Sequence, residues 1–187
     1  MPPLCSTPVC ATRPATTADI PVLRELAEQV WRVSYATMIP PEQIDYMLEW
    51  MYGAGQIARE MGEGVAWELA LSDDRPIGFF SLGFEEPARA KLHKLYVLPE
   101  RQGAGLGQAL LARAQALAAA RGASEIWLQV NKRNTRAIRA YERAGYVVER
   151  SAVFDIGQGF VMDDFIMRRA LLPTDSLNEN PPSTVSA

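Results

Sequence analysis

The stretch Leu95-Tyr96-Val97-Leu98-Pro99-Glu100-Arg101-Gln102-Gly103-Ala104-Gly105-Leu106-Gly107-Gln108-Ala109-Leu110-Leu111 decides the reading of this chain. An apolar run rich in β-formers stops at Pro99. A loop with three alternating glycines follows, and a helical pattern then opens with Leu106, Leu110, Leu117 and Ala118 on one face. A strand that feeds a glycine-rich turn into a helix N-terminus makes an anion site. The glycines let backbone N–H groups approach a ligand closely, and the helix dipole adds partial positive charge. Between Arg101 and Ser124 there is no Asp or Glu, although acidic side chains ordinarily stabilise a first helical turn. The gap leaves room for negative charge that the protein does not supply itself, and a phosphate ligand suits it.

Spacing separates the nucleotide motifs that compete for such a loop. A P-loop requires Lys and then Ser/Thr after its last glycine, but Gln108 and Ala109 follow Gly107. A dinucleotide fingerprint, G-x-G-x-x-G, would need its third glycine at Gln108 or Leu110, so it fails in both frames. Gln102-x-x-Gly105-x-Gly107 does resemble the acyl-CoA pyrophosphate signature of the GNAT-type N-acetyltransferases. Leu92-His93-Lys94-Leu95-Tyr96-Val97 is similar to the fourth strand of that family. Asn131-Lys132-Arg133-Asn134-x-x-Ala137-Ile138-x-x-Tyr141-Glu142-x-Ala144-Gly145-Tyr146 is similar to its downstream segment. The resemblance runs over residues 10–170 and is densest over 92–146.

At 187 residues, 48% hydrophobic and 22% charged, the chain has the size and composition of one soluble globular domain. No apolar run approaches the roughly 20 residues of a membrane span, and the N-terminus lacks the basic and apolar regions of a secretory signal. A cytoplasmic protein with no membrane association is expected. Cys5 and Cys10 give no disulfide framework, and with a single histidine, His93, no metal site is expected. Residues 1–8 read as a flexible N-terminus, 9–172 as the domain, and 173–187, rich in Pro, Ser, Thr and Asn, as a disordered tail.

Strand and helix signals alternate between these ends. Strands are expected at 9–13, 65–71, 77–84, 91–97, 126–130, 146–156 and 160–168, with an Asp73-Asp74-Arg75 turn joining the second and third. Helices are expected at 18–35 (capped by Thr16 or Thr17), 42–61, 106–121 and 134–144. Consecutive strands followed by β-α-β-α imply an α/β fold with a mixed sheet and helices on both faces; the resemblance implies a single GNAT-like domain whose central sheet is mostly antiparallel.

Charge is divided unevenly. From Arg101 to Tyr141 the chain carries seven basic residues against one acidic residue, Glu125, while the whole chain is at −3; the segment is thus +6 and the remainder about −9. The basic segment suits a polyanionic cofactor and the acidic remainder a protonated amine. An overall pI near 5.3 without aromatic–basic interleaving argues against nucleic acid.

Acyl transfer from a thioester to an amine requires a held CoA, a deprotonated amine, a donor for the oxyanion and a proton for the departing thiolate. The resemblance implies that acetyl-CoA is the co-substrate. Its pantetheine arm would pair with the backbone of Leu95, Tyr96 and Val97, and its pyrophosphate would sit over Gln102, Gly103, Ala104, Gly105, Leu106, Gly107 and Gln108. Asn134 and Ala137 would flank the arm, and Tyr141 would protonate the thiolate. Residues 134, 137 and 141 share a helix face by spacing, and a phenol near pH 10 is protonated at neutrality. Asn134 also suits a helix N-cap and can do both, and the alternative for Tyr141 is a tyrosine packed on the sheet.

His93, with a reference value near 6.5, suits a general base. Strand alternation places it on the face of Leu95 and Val97, and Glu85 and Glu86 are the next candidates. In the family the first two helices line the acceptor side, which here offers Trp31, Tyr35, Glu42, Asp45, Tyr46 and Glu49, with Glu85 nearby. The ending Phe160-Val161-Met162-Asp163-Asp164-Phe165-Ile166-Met167 resembles that of the spermidine/spermine and diamine acetyltransferase-like branch. A small amine or polyamine acceptor is therefore expected. Acetylation of a protein N-terminus or lysine, a non-catalytic acyl-CoA sensor, and a homodimer remain open alternatives.

Overall fold

Alternation along residues 66–97 sends successive side chains to opposite sides of a sheet, so helices can bury both faces. The computed structural model describes residues 11–85 and 88–171. β2 (Ala66–Ser72), β3 (Arg75–Glu85) and β4 (Arg89–Val97) form an antiparallel meander, and β1 (Ala11–Pro14) pairs with the outer side of β2. Asp73 and Asp74 turn the β2–β3 hairpin at φ 49° and 60°, a left-handed conformation that aspartate tolerates better than most residues.

After β4 the chain crosses over through α4 (Leu106–Ala120) to β5 (Glu125–Asn131), which pairs parallel with β4. It continues through α5 (Thr135–Arg143) into the hairpin of β6 (Val147–Gly157) and β7 (Phe160–Ala170). The sheet order is β1-β2-β3-β4-β5-β7-β6, and β4–β5 is its parallel pair. This is the mixed, mostly antiparallel α/β domain expected from the sequence. Among the described residues no helix is long and apolar enough to cross a membrane.

Two cores follow from the two faces. On one, α1 (Ile20–Ser34), α2 (Pro41–Tyr52) and α3 (Ala54–Gly62) cover Trp67, Leu69 and Phe79 with Leu23, Trp31 and Ile57. On the other, α4 and α5 cover Phe80, Leu82, Leu92, Ile126 and Leu128. Leu110 and Leu111 of α4 are each 1% exposed, and burying each contributes roughly 1.5–3 kcal/mol.

Two elements differ from the sequence expectation. The helix foreseen over 42–61 is two helices, because Gly53 adopts φ −52°, ψ 139° and redirects the chain; a Cβ at Gly53 would lie 2.7 Å from the carbonyl oxygen of Glu49. The first helix starts later than residue 18. Thr17–Asp19 is a 3-10 turn held by a Thr16/Asp19 capping box, and α-helical geometry begins at Ile20. Val9, both cysteines, Glu86 and the 173–187 tail lie outside the described residues.

One irregularity positions everything that follows. β4 and β5 pair only from Arg89↔Glu125 to Leu92↔Leu128. Just there β4 bulges against β3: Leu82 faces Leu92 and Ser81 faces Lys94, leaving His93 as the extra residue. A bulge bends and twists its strand, and beyond this one β4 and β5 diverge into an open wedge.

Candidate active site

The glycine loop meets the wedge at its open end. Gly103 and Gly105 adopt φ +90° and +82°, where a side chain would be strained. Gly107 is helical, and a Cβ there would meet no protein atom within 4 Å. Packing therefore does not require glycine at 107; the bare position leaves space over the first turn of α4. No side chain caps that turn and no acidic residue occupies it, so its leading N–H groups have no intrahelical or side-chain acceptor. Gln102 turns back and donates from Nε2 to the Val97 carbonyl at 2.8 Å, so its amide shapes the loop. Leu106 is 5% exposed and belongs to the core, and Ala104 lines a smaller hollow with Glu100 and Arg101.

A cleft of about 710 Å³ runs from the loop along the wedge, lined by Leu95, Tyr96, Val97, Gln129, Ala137 and Tyr141. Its size is that of a small-molecule site. His93, Gly103, Gly105, Gly107, Gln108, Asn134 and Tyr35 also reach it, so most of the sequence-derived residues converge on one cavity. Asn134 does cap α5, accepting from the Ala137 N–H at 3.1 Å. Tyr141 packs at 5.7 Å from the Tyr146 ring. Burial, then Tyr35 and Tyr146, raise its phenol well above the ordinary range, so it is protonated at any physiological pH.

The bulge changes the place expected for His93. Its Nε2 occupies the space that a Cβ on Gly83 would need. Gly83 alternates with Phe79 on the α1–α3 face of β3, so the imidazole sits on that face and not with Leu95 and Val97. Only glycine at 83 leaves room for the ring. The ordinary imidazole value does not hold either: burial, then Lys94 and Lys91, push His93 down to about 4, with Glu60 pulling the other way. It is neutral at pH 7 and a weak base.

Next to it, the Lys94 ammonium is buried and bound by Glu60 at 3.0 and 3.1 Å, over the rings of Trp67 and Tyr52. Burial first, then contact with Tyr35 and Tyr52, raises the Tyr96 phenol, and burial likewise raises those of Tyr35 and Tyr52. Tyr35 also meets Asn134, joining the end of α1 to the N-terminus of α5.

Two residues expected on the acceptor side are placed elsewhere. Trp31 is 3% exposed; it stacks under Tyr35 at 4.3 Å and donates to the Tyr52 hydroxyl at 3.2 Å, which makes it a support for the Tyr35 ring. Glu85, at the far end of β3, accepts from Trp127 Nε1 at 3.0 Å and does not line the cleft. Gln129 and Asp164 were not singled out from the sequence. The available signal was Asp164 standing two residues from Ile166 on a strand face that buries both.

The loop, the wedge and the tyrosine thus line one continuous cleft. Residues 22–146 match the acetyltransferase (GNAT) family, and the chain belongs to it. The chain is thus an N-acetyltransferase by class. An uncharacterized N-acetyltransferase of Mycobacterium tuberculosis is 28% identical over 155 residues, covering 82% of this chain and 99% of that protein. A spermidine N(1)-acetyltransferase of Thermoplasma acidophilum is 26% identical over 150 residues, covering 78% and 90%. The crystal structure of the PaiA N-acetyltransferase of Thermoplasma acidophilum in complex with coenzyme A superposes with a TM-score of 0.74 at 25% identity, covering 86% of this chain and 98% of that one.

Proposed function

We propose that this chain transfers the acetyl group of acetyl-CoA to a primary amine by direct attack within a ternary complex, with a small amine or polyamine as acceptor. The observation that carries this reading is the continuity of one cleft from the uncapped first turn of α4, along the edge of β4 that β5 leaves open beyond Leu92, to Tyr141. The pyrophosphate fits the first, the extended pantetheine arm can add to the second as a strand would, and the sulfur falls near the third. The coenzyme A named with the Thermoplasma structure supports this cofactor.

The amine nitrogen attacks the thioester carbon, the C–N bond forms, the C–S bond breaks, and the thiolate leaves. A backbone N–H at the divergence of β4 is the donor we assign to the oxyanion. Tyr141 meets the thiolate. A thiol titrates near 8.5, so full proton transfer from a phenol raised by burial runs uphill, and hydrogen-bond donation to the developing thiolate is its larger contribution. His93, uncharged and weakly basic, accepts a hydrogen bond from the attacking amine, whose surplus proton passes to the departing thiolate. The acidic balance outside residues 101–141 and the spermidine-acetylating relative favour a cationic acceptor. Thiol release from acetyl-CoA, measured against a panel of monoamines, diamines, polyamines and peptides with free N-termini, tests the reading. Tight acetyl-CoA binding without turnover on any acceptor would overturn it in favour of a sensor.

A further inference from the structure

Three charged side chains are buried among the described residues: Glu68, Lys94 and Asp164. Arg113 binds Glu68 at 2.8 and 3.0 Å, and Glu60 binds Lys94. Asp164 is 2% exposed, yet no hydrogen bond or ion pair reaches its carboxylate among the described residues. A buried, uncompensated carboxylate is costly, and its persistence points to a cation that arrives from outside.

The placement fits. Asp164 stands opposite Asn131 on β5, and the next inward residue, Ile166, stands opposite the cleft-lining Gln129. Its neighbour two residues back, Met162, packs with the α1–α3 core, so Asp164 faces the acceptor side of the sheet. Arg133 ties the Met38 carbonyl to the turn just past Asn131 at 2.8 Å, which lays the segment after Tyr35 over this end of β5 and β7. The charge of Asp164 is felt at the Tyr35 phenol, which lines the cleft. Lys132 does not neutralise it, because that ammonium is paired with Asp163 and lies over Phe165 on the opposite face.

We propose that Asp164 anchors a second, non-reacting ammonium group of a diamine or polyamine acceptor whose chain passes Tyr35. This rests on the acetyltransferase reading and narrows its substrate class. A carboxylate holds an ammonium in its protonated form, which would suppress attack by the amine it binds; it serves an amine that stays charged. Three ammonium donors against two carboxylate oxygens give the strongest contact open to such a group. Burial first, then Asp163, push Asp164 up to about 6 while Lys132 pulls it down. With Tyr35, which shares its face, these are the ionisable groups whose charge reaches it, so the anchor is ionised above pH 6.

The test compares 1,4-diaminobutane with butylamine. Asp164→Asn should lower kcat/KM for the diamine at least tenfold more than for the monoamine, mainly through KM, with acetyl-CoA affinity by calorimetry close to the parent's. Asp164→Glu should restore part of the diamine preference. The parent's Tm should rise with diaminobutane and that of Asp164→Asn should not, a readout independent of turnover. A folded Asp164→Asn that keeps the parent's diamine-to-monoamine ratio and diamine Tm shift, even with a raised Tm, would overturn the anchor and leave the acetyltransferase reading intact. No turnover with any amine would instead count against that reading, and the Tm shift would still decide the anchor.

Discussion

The side-chain amide of Gln102 donates to the main-chain carbonyl of Val97 across 2.8 Å, clamping the glycine loop to the last residue of β4. Replacing it with leucine leaves that carbonyl unpaired, at a cost of ~1–3 kcal/mol, and lets the loop drift from the strand. Gln102→Leu is expected to weaken acetyl-CoA binding by about tenfold, which is ~1.4 kcal/mol. Calorimetry checks this; an affinity within about twofold of the parent would separate the clamp from the cofactor site.

Gly107 offers a cleaner probe of the phosphate position than Gly105, since it is helical and faces open space. Gly107→Glu should fold with a Tm near the parent's or above it, because glycine is a poor helix former. Acetyl-CoA affinity should nonetheless fall by well over tenfold, the new carboxylate standing where phosphate oxygens are assigned. Retained affinity would move the pyrophosphate elsewhere.

Tyr141→Phe removes the hydroxyl and keeps the ring packed against Tyr146. We expect kcat to fall on the order of 10²-fold with acetyl-CoA binding nearly intact, the usual scale for a proton donor at a leaving group. A kcat within about twofold of the parent would reduce Tyr141 to packing.

His93 and Asp164 should tilt stability against pH in opposite directions. His93 goes from 6.5 unfolded to about 4 folded. The unfolded chain therefore binds more protons between those values, and stability falls as pH drops through that window. Asp164 goes from 3.8 to about 6, so the native state binds more protons and stability falls as pH rises through its window. Urea unfolding at pH 4.5, 5.5 and 6.5 should show His93→Gln gaining stability relative to the parent at the acid end and Asp164→Asn losing it. In kinetics with butylamine as acceptor, the pH–rate profile should show no break between 6 and 7 from His93, and a break there that His93→Gln abolishes would contradict the burial of the imidazole.

The parts of the site that were legible in the sequence are those made by contiguous residues. Residues 102–107 form the loop by their own backbone preferences, and Asn134, Ala137 and Tyr141 share a face because helix spacing dictates it. His93 was misplaced because its face depends on a bulge against β3, and bulges arise from pairing between distant residues. The break at Gly53 was hidden by an apolar pattern that continues on both sides of it. Trp31 and Tyr35 looked equivalent by composition, but Tyr52, 21 residues further on, draws the indole inward. Asp164 could not be recognised as unpaired until the strands that might have carried its partner were in place.

The wedge between β4 and β5 leaves the middle of the sheet with a seam that the polypeptide does not close. The proposed cofactor strand laid into it would supply pairing that the chain lacks, so the bound form would be the better folded one, stabilised by RT ln(1 + [L]/Kd). Amide exchange from His93 to Val97 should slow with cofactor occupancy, and so should proteolysis through that opening. On the proposed reading, the cell's supply of activated acetyl groups would help set how long each copy of the enzyme survives, apart from how fast it works.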